Sequence, residues 1–135
     1  MRWTVLVAPE FQPELAALES EVRVELLAQA RLIEQFGPAA KRPRVDTLNG
    51  SRHANMKELR FDAGGGVWRV AFAFDSRREA ILLVAGDKSG QSERTFYKRL
   101  MDKADERFRF RISSALLPRR RSESGKASSD GKDAA

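Results

Sequence analysis

The feature that most constrains the fold is a pair of alternating runs on either side of three consecutive glycines, MKELRFDAGGGVWRVAFAF, residues 56–74. In the first run Leu59 and Phe61 alternate with charged residues. In the second run bulky apolar residues occupy every second position from Trp68 to Phe74, and Arg69 and small residues stand between them. A period of two is typical of strands that bury one face. The segment therefore predicts two strands of one β-hairpin.

The three glycines between the runs admit two interpretations, a phosphate cradle or a turn. A phosphate-binding loop of the P-loop type needs Lys-Ser or Lys-Thr after the glycines and opens a helix, so that backbone N–H groups face the anion. Here the glycines are followed by a strand pattern and not by a lysine. Because glycine tolerates positive φ, AGGG predicts a hairpin loop of three to five residues.

The remaining elements follow from changes of period along the chain. RWTVLV, residues 2–7, predicts a short strand. Residues 10–36 predict a short helix and then a longer one with a stripe at Val22, Leu26, Ala30 and Ile33, and Gly37-Pro38 ends it. Residues 38–55 predict a basic surface loop. AILLVAG after the turn DSRRE predicts a third strand of the meander, and Ser92 caps a last helix.

The predicted fold class is therefore α+β, with the order β-α-α-β-β-β-α. It is a small antiparallel sheet with an N-terminal helical hairpin and a C-terminal helix. We expect the helices on one face of the sheet and the other face open. The folded domain spans residues 1–116. Residues 117–135 form a basic tail that we expect to be disordered, because from Pro118 onward no apolar residue is larger than alanine.

Composition limits the chemistry. The 135 residues include no cysteine and one histidine, which excludes disulfides, thiolate metal sites and a His-rich metal centre. We expect no metal and no cofactor. No apolar run approaches the ~18 residues of a membrane span, so we expect a cytoplasmic protein with no membrane partner. Residues 10–36 hold six acidic and two basic residues, whereas residues 37–116 hold seventeen basic and ten acidic residues. This asymmetry favours one surface that binds a polyanion.

Alternation along the hairpin predicts a charged surface. Glu58, Arg60 and Arg69 fall on the open side, and two lysines could reach the same edge, Lys57 at the start of the first strand and Lys88 after the third strand. Guanidinium groups bind phosphate in bidentate fashion and stabilise charge that develops in a transition state. The alternative is that Arg60 pairs with Glu58 or Asp62 as ordinary charge balance between strands. The residues alone leave both interpretations open.

Three ordered motifs carry a resemblance to a known family. They are LNGSRHANMKELRF, then WRVAFAF, then ILLVAGDKSGQSERTFYKRLMDKADERF. Together they resemble the RelE/ParE superfamily of bacterial toxins, in its HigB-like, phage-derived branch. The resemblance runs from about Trp3 to Phe110. It covers the helical hairpin, the sheet and the last helix.

The resemblance implies a toxin of a type II toxin–antitoxin pair. RelE-like members are endoribonucleases, or mRNA interferases, that cut mRNA in the ribosomal A site without metal, by attack of the 2′-hydroxyl on the adjacent phosphate. The implied partners are mRNA, the ribosome and a cognate antitoxin, often a helix-turn-helix DNA-binding protein. Two alternatives are a ParE-like toxin, which shares the fold and poisons gyrase, and an inactive relative that binds RNA or protein.

Residue by residue, the resemblance assigns Arg69 to the phosphate-binding arginine and Lys88 to the basic residue after the third strand. Tyr97 matches the base-stacking aromatic residue, and Phe96 matches equally well if the loop is one residue longer. Glu58 stands where RelE members carry a lysine, with Lys57 beside it, so Glu58 is a candidate general base or a residue that orients Arg60.

We expect further RNA contacts from basic residues outside this set, namely Arg52, His53, Lys98 and Arg99. For His53 the alternative is an ordinary solvated side chain in a polar loop.

Overall fold

The computed structural model describes residues 2–116, with side chains through residue 109. The elements in chain order are β1 (Thr4–Val7), α1 (Gln12–Ala17), α2 (Ser20–Phe36), a 3₁₀ turn (Gly37–Ala39), β2 (Val45–Thr47), β3 (Met56–Ala63), β4 (Gly66–Phe74), β5 (Glu79–Asp87) and α3 (Glu93–Leu116). The predicted order of the main elements is confirmed. The predicted tail, residues 117–135, lies outside the described residues.

The strands form one five-stranded sheet in the order β1-β5-β4-β3-β2. Strand β1 runs parallel to β5, and the other neighbours are antiparallel. Strand β2 lies within the segment that the sequence predicts to be a loop. It has only three residues, too few for a period to show, and it forms because its backbone pairs with β3, Asp46 lying opposite Glu58.

The glycine segment forms a tighter turn than predicted. Ala63 pairs with Gly66, so the loop between β3 and β4 has two residues, Gly64 and Gly65, with φ of 56° and 77°. Two successive residues with positive φ are what a type I′ hairpin turn requires. Gly66 lies in β4, and a Cβ there would lie 2.7 Å from Asp87 Oδ2 and 2.8 Å from Trp68 Nε1, so a larger residue would force these side chains to move.

Helices cover both faces of the sheet, and the prediction of one open face is wrong. Residues 70–74 and 80–84 are buried without interruption, although successive side chains of a strand point to opposite faces. On one face α3 packs closely, since a Cβ at Gly86 would lie 2.9 Å from the ring of Phe96. On the other face α2 packs against β3 and β1.

Helix α2 contributes the stripe that the sequence predicts. Val22, Leu26, Ala30 and Ile33 are all buried, with Leu26 and Ile33 fully inaccessible. The next residue after Leu26 lies on the outer side of the helix, where Leu27 is 47% exposed. No helix in residues 2–116 has the length and apolar character needed to cross a membrane.

The two adjacent leucines give a test of this packing. We expect Leu26→Ala to lower the free energy of unfolding by about 2–5 kcal/mol, since it removes buried contacts and leaves a cavity. We expect Leu27→Ala to change it by less than about 0.5 kcal/mol, because the side chain is half exposed. Urea unfolding followed by circular dichroism measures both. Equal losses in the two variants would contradict the assigned orientation of α2.

Candidate functional site

The register between β3 and β4 brings the predicted charged residues to one face of the sheet. Arg60 lies directly opposite Arg69, and Glu58 lies opposite Ala71. The face is not open as predicted, because α3 crosses it. Glu58 is 6% exposed and Arg69 is 7% exposed.

A tyrosine of α3 joins the two buried charges. The Tyr97 hydroxyl donates to Glu58 Oε1 over 2.7 Å, and Arg69 Nε donates to the Tyr97 oxygen over 3.2 Å. Arg69 Nη1 also donates to the carbonyl oxygen of Trp68 over 2.9 Å, and Arg69 Nε lies 3.8 Å from Glu58 Oε1. We call these three residues the Glu58–Arg69–Tyr97 cluster. Since both charges are buried, the cluster is stable only while the partners stay together.

The environment of Tyr97 keeps its hydroxyl protonated. Burial raises the pKa of Tyr97 most, the hydrogen bond to Glu58 raises it further, and Arg69 opposes both by lowering it. The net direction is upward from an ordinary pKa of about 10. At neutral pH Tyr97 is therefore a hydrogen-bond donor that holds the carboxylate of Glu58 in place.

Lys88 lies at the rim of the cluster. Its Nζ is 5.8 Å from the centre of the Tyr97 ring and 3.5 Å from Glu93 Oε1, and its side chain is 22% exposed. An ammonium over an aromatic face is attracted by the ring quadrupole. The loop is held because Asp87 Oδ1 accepts from the backbone N–H groups of Val67 and Ser89 over 3.0 and 2.9 Å.

The other two predicted strand residues have their side-chain partners outside the cluster. Arg60 Nη1 is 3.8 Å from Asp46 Oδ2 of β2, so its partner is neither of the two carboxylates that the sequence suggested. Lys57 alternates to the opposite face of Glu58, and its Nζ donates to Thr47 Oγ1 over 3.2 Å. The structure therefore does not bring Lys57 to the site.

Of the two aromatic matches, only Tyr97 can reach a ligand at this face. Phe96 is 4% exposed and packs beside Gly86. Its ring also meets the Tyr97 ring edge-on, with the centroids 5.1 Å apart. Phe96 is therefore a core residue that supports Tyr97.

The residues predicted to add RNA contacts divide between a loop and α3. Arg52, Lys98 and Arg99 are exposed, and Lys98 pairs with Asp102 over 3.1 Å. His53 is half buried, and its ring meets the ring of Phe108 edge-on with centroids 5.0 Å apart. His53 is therefore packed against α3 and is not simply a solvated side chain.

Sequence reasoning missed two residues of the ADERF motif that hold this region together. Buried Asp105 accepts from Ser51 Oγ over 2.5 Å and from the backbone N–H of Arg52 over 3.2 Å, which fixes the basic loop on α3. Arg107 donates to Leu83 O over 2.6 Å and to both carboxylate oxygens of Glu14 over 2.9 and 2.6 Å.

The hydrogen bond from Arg107 lowers the pKa of Glu14, more than burial raises it. The sequence did carry a signal for these two residues. Asp105 and Arg107 stand directly beside the apolar stripe of α3, where a charged side chain does not face solvent freely. Within residues 2–116 no three His, Asp or Glu side chains come together in a way that could hold a metal ion.

The fold and the site define a RelE-type architecture. The structure of a double arginine-to-alanine mutant of the E. coli toxin RelE in the free state superposes with a TM-score of 0.53 at 14% identity, over 76% of this chain and 97% of that one. This likeness concerns the fold. The family of phage-derived Gp49-like proteins matches residues 13–109.

Two proteins of Mycobacterium tuberculosis are similar in sequence. The chain is 43% identical to the candidate toxin HigB2 over 95 residues, which are 70% of this chain and 47% of that protein. It is 40% identical to the candidate toxin HigB3 over 103 residues, which are 76% of this chain and 88% of that protein. The chain thus spans about half the length of HigB2 and most of HigB3. It belongs to the phage-derived Gp49-like family, in the HigB-like branch of the RelE/ParE toxin superfamily.

The chain contains one tyrosine, so its titration reports on the cluster directly. We expect the tyrosinate absorbance of the folded protein to rise at a higher pH than that of the protein in urea, because the pKa of Tyr97 is raised. Stability relative to Tyr97→Phe should be fully present below pH of about 10 and decline as the pH rises through the folded pKa.

Glu58→Gln should move the folded midpoint downward, since the carboxylate raises the pKa of Tyr97. Lys103→Ala, an exposed change on the same helix, should leave the midpoint where it is. Identical midpoints in folded and unfolded protein would show that the Glu58–Arg69–Tyr97 cluster does not form.

Proposed function

We propose that the chain is the toxin of a type II toxin–antitoxin pair and cleaves mRNA on the ribosome without a metal ion. The observation that carries this proposal is the convergence of Arg69 and Lys88 on Tyr97, beside the carboxylate of Glu58. Membership of the HigB-like branch supports the toxin function, and the names of the two mycobacterial relatives point the same way.

The proposed reaction is an internal transesterification of RNA. The 2′-hydroxyl gives up its proton to water as its oxygen bonds to the adjacent phosphorus. The bond from phosphorus to the 5′-oxygen breaks, and that oxygen takes up a proton from water, so a cyclic phosphate and a free 5′-hydroxyl result. Negative charge accumulates on the phosphate oxygens as the new bond forms. The rate gain then comes from positioning the strand and from cations placed where that charge develops.

Lys88 and Arg69 would supply those cations. The Lys88 side chain is partly exposed at the rim, where its ammonium can meet a phosphate. Arg69 is fixed through Nε and Nη1, which leaves Nη2 without a hydrogen bond in the described part of the chain and free to donate to a phosphate oxygen.

Glu58 and Tyr97 have supporting roles in this proposal. Glu58 Oε1 is occupied by the Tyr97 hydroxyl, so the carboxylate holds the tyrosine and Arg69 in place. General base catalysis by Glu58 would have to use a lone pair that the Tyr97 hydroxyl does not occupy, such as one on Oε2. The ring of Tyr97 is the surface for stacking a base, because Phe96 is buried.

Cations around the cluster would hold the flanking strand. Arg60 lies on the same face at the β2 edge, while Arg52 and Arg99 are exposed beside α3. Contacts of this kind bind phosphates without reading sequence, and they make affinity depend on salt. The proposed partners are therefore mRNA and the ribosome, together with an antitoxin of the helix-turn-helix class.

Lys88 gives a cleaner test than Arg69. Removing Arg69 would leave Glu58 as an unpaired buried charge and destabilise the protein, whereas Lys88 is partly exposed and its loss should preserve the fold. We expect induction of the wild type to cut translated mRNA and the Lys88→Ala variant to cut it about 100-fold less, in line with loss of one charge-stabilising group. Primer extension on translated transcripts measures the cuts.

Lys103→Ala is the matched control, because Lys103 is an exposed lysine of α3 outside the cluster. It should cleave as the wild type does, and circular dichroism should show all three proteins folded. If transcripts stay intact when the wild type is induced, the proposal that the chain cleaves mRNA is wrong. A DNA damage response under the same conditions would instead indicate gyrase as the target.

A further inference from the structure

An apolar groove lies where the C-terminal end of α2 meets the 3₁₀ turn and β2. It has a volume of about 330 Å³. Its lining includes four apolar residues, Leu32, Phe36, Ala40 and Val45, and two cationic residues, Lys41 and Arg44. It shares no residue with the Glu58–Arg69–Tyr97 cluster or with Lys88.

The groove exposes apolar surface that the fold does not use. Among the described side chains the large exposed apolar residues are Val24, Leu27 and Phe36, all of them on α2. Phe36 is 51% exposed and stands one helical turn from Leu32, so the two side chains form a ledge along the groove. An aromatic residue in a partly formed pocket is the usual anchor of a protein interface.

The rim of the groove is positively charged. Residues 35–45 contain Lys41, Arg42 and Arg44 and no acidic residue. Arg42 lies 3.7 Å from Asp46, whereas Lys41 and Arg44 make no ion pair with any described residue. An occupant of the groove must therefore offer apolar side chains together with carboxylates.

Neither the C-terminal segment of this chain nor a second copy of the chain meets this requirement. From Pro118 onward the C-terminal segment has no apolar residue larger than alanine, so it cannot fill the groove. A second copy in a twofold arrangement would bring the same cationic rims face to face, which opposes association. The groove also lacks the convergent polar groups of a small-molecule site.

We propose that this groove binds an acidic amphipathic segment of the antitoxin. Apolar residues of the segment at helical spacing contact Leu32 and Phe36, and its Asp or Glu residues pair with Lys41 and Arg44. The inference rests on the proposed function for the existence of the antitoxin. It adds the surface that the antitoxin uses, and it places that surface apart from the residues proposed to cleave RNA.

The test measures binding of the purified antitoxin encoded beside the gene to purified variants of the full chain. Phe36→Glu places a charge in the apolar wall, and we expect it to weaken binding at least 100-fold. Lys41→Glu combined with Arg44→Glu should weaken binding at least 10-fold, and raised salt should weaken the wild type in the same direction. Leu27→Glu, an exposed residue of the same helix outside the groove, should bind as the wild type does.

Because the changed side chains are exposed, each variant should fold, and circular dichroism confirms this before binding is measured. Wild-type affinity in Phe36→Glu, or no binding by the wild type, would overturn the groove as the docking surface. Lys88→Ala should bind as tightly as the wild type. Lost binding in the groove variants together with absent cleavage by the wild type would reject the nuclease and retain the docking surface.

Discussion

The register of the β3–β4 hairpin is the constraint on which the rest of the structure depends. The two-residue turn at Gly64 and Gly65 pairs Ala63 with Gly66, and every pair along the ladder follows from that one. A shift of one residue would turn Glu58 and Arg60 toward α2, among side chains with no polar partner for them. It would also turn Leu59 away from α2, toward the face where Tyr97 of α3 lies. The glycines of the turn therefore set the register of the whole hairpin, and the register determines which face carries the charged residues.

The face selected by this register has to serve both as core and as site. Helix α3 crosses it with Phe96 and Leu100 in the apolar interior, and Tyr97 beside them reaches the charges. Burying a carboxylate and a guanidinium is unfavourable unless their hydrogen bonds are made, and Tyr97 makes the bond that links them. The same tyrosine presents its ring to Lys88. One side chain of the helix thus couples helix docking to the placement of a rim cation.

The sequence predicted those parts of the fold that have a period. Alternation identified β3 and β4 and the shared face of Arg60 and Arg69, and the α2 stripe identified the buried side of that helix. It could not reveal β2, because three residues show no period and the strand exists only through pairing with β3. For the same reason the partner of Arg60 could not be foreseen, since Asp46 lies on that strand.

Other features depend on packing that no local pattern records. An amphipathic helix such as α3 shows that it has a buried side, but not which face of the sheet it covers. The open face was therefore the wrong expectation. Lys57 illustrates the opposite case, since alternation already directed it away from Glu58. It entered the candidate site because it lies at the start of the strand, from where we expected its long side chain to reach the same edge.

Among the described side chains of residues 37–109, the basic residues include two groups with different surroundings. Beside α3 the cations stand among polar side chains and the half-buried ring of Tyr97, the surface that we propose binds phosphates and a stacked base. At the end of α2 the cations flank Phe36 and Leu32. A nucleic acid presents phosphates but no side chains that would fill an apolar wall, whereas an acidic amphipathic protein segment presents both features. Charge alone would assign one polyanion to both surfaces. The apolar lining distinguishes the two surfaces. Burying the apolar wall of the groove is favourable only when the partner also presents apolar side chains to it.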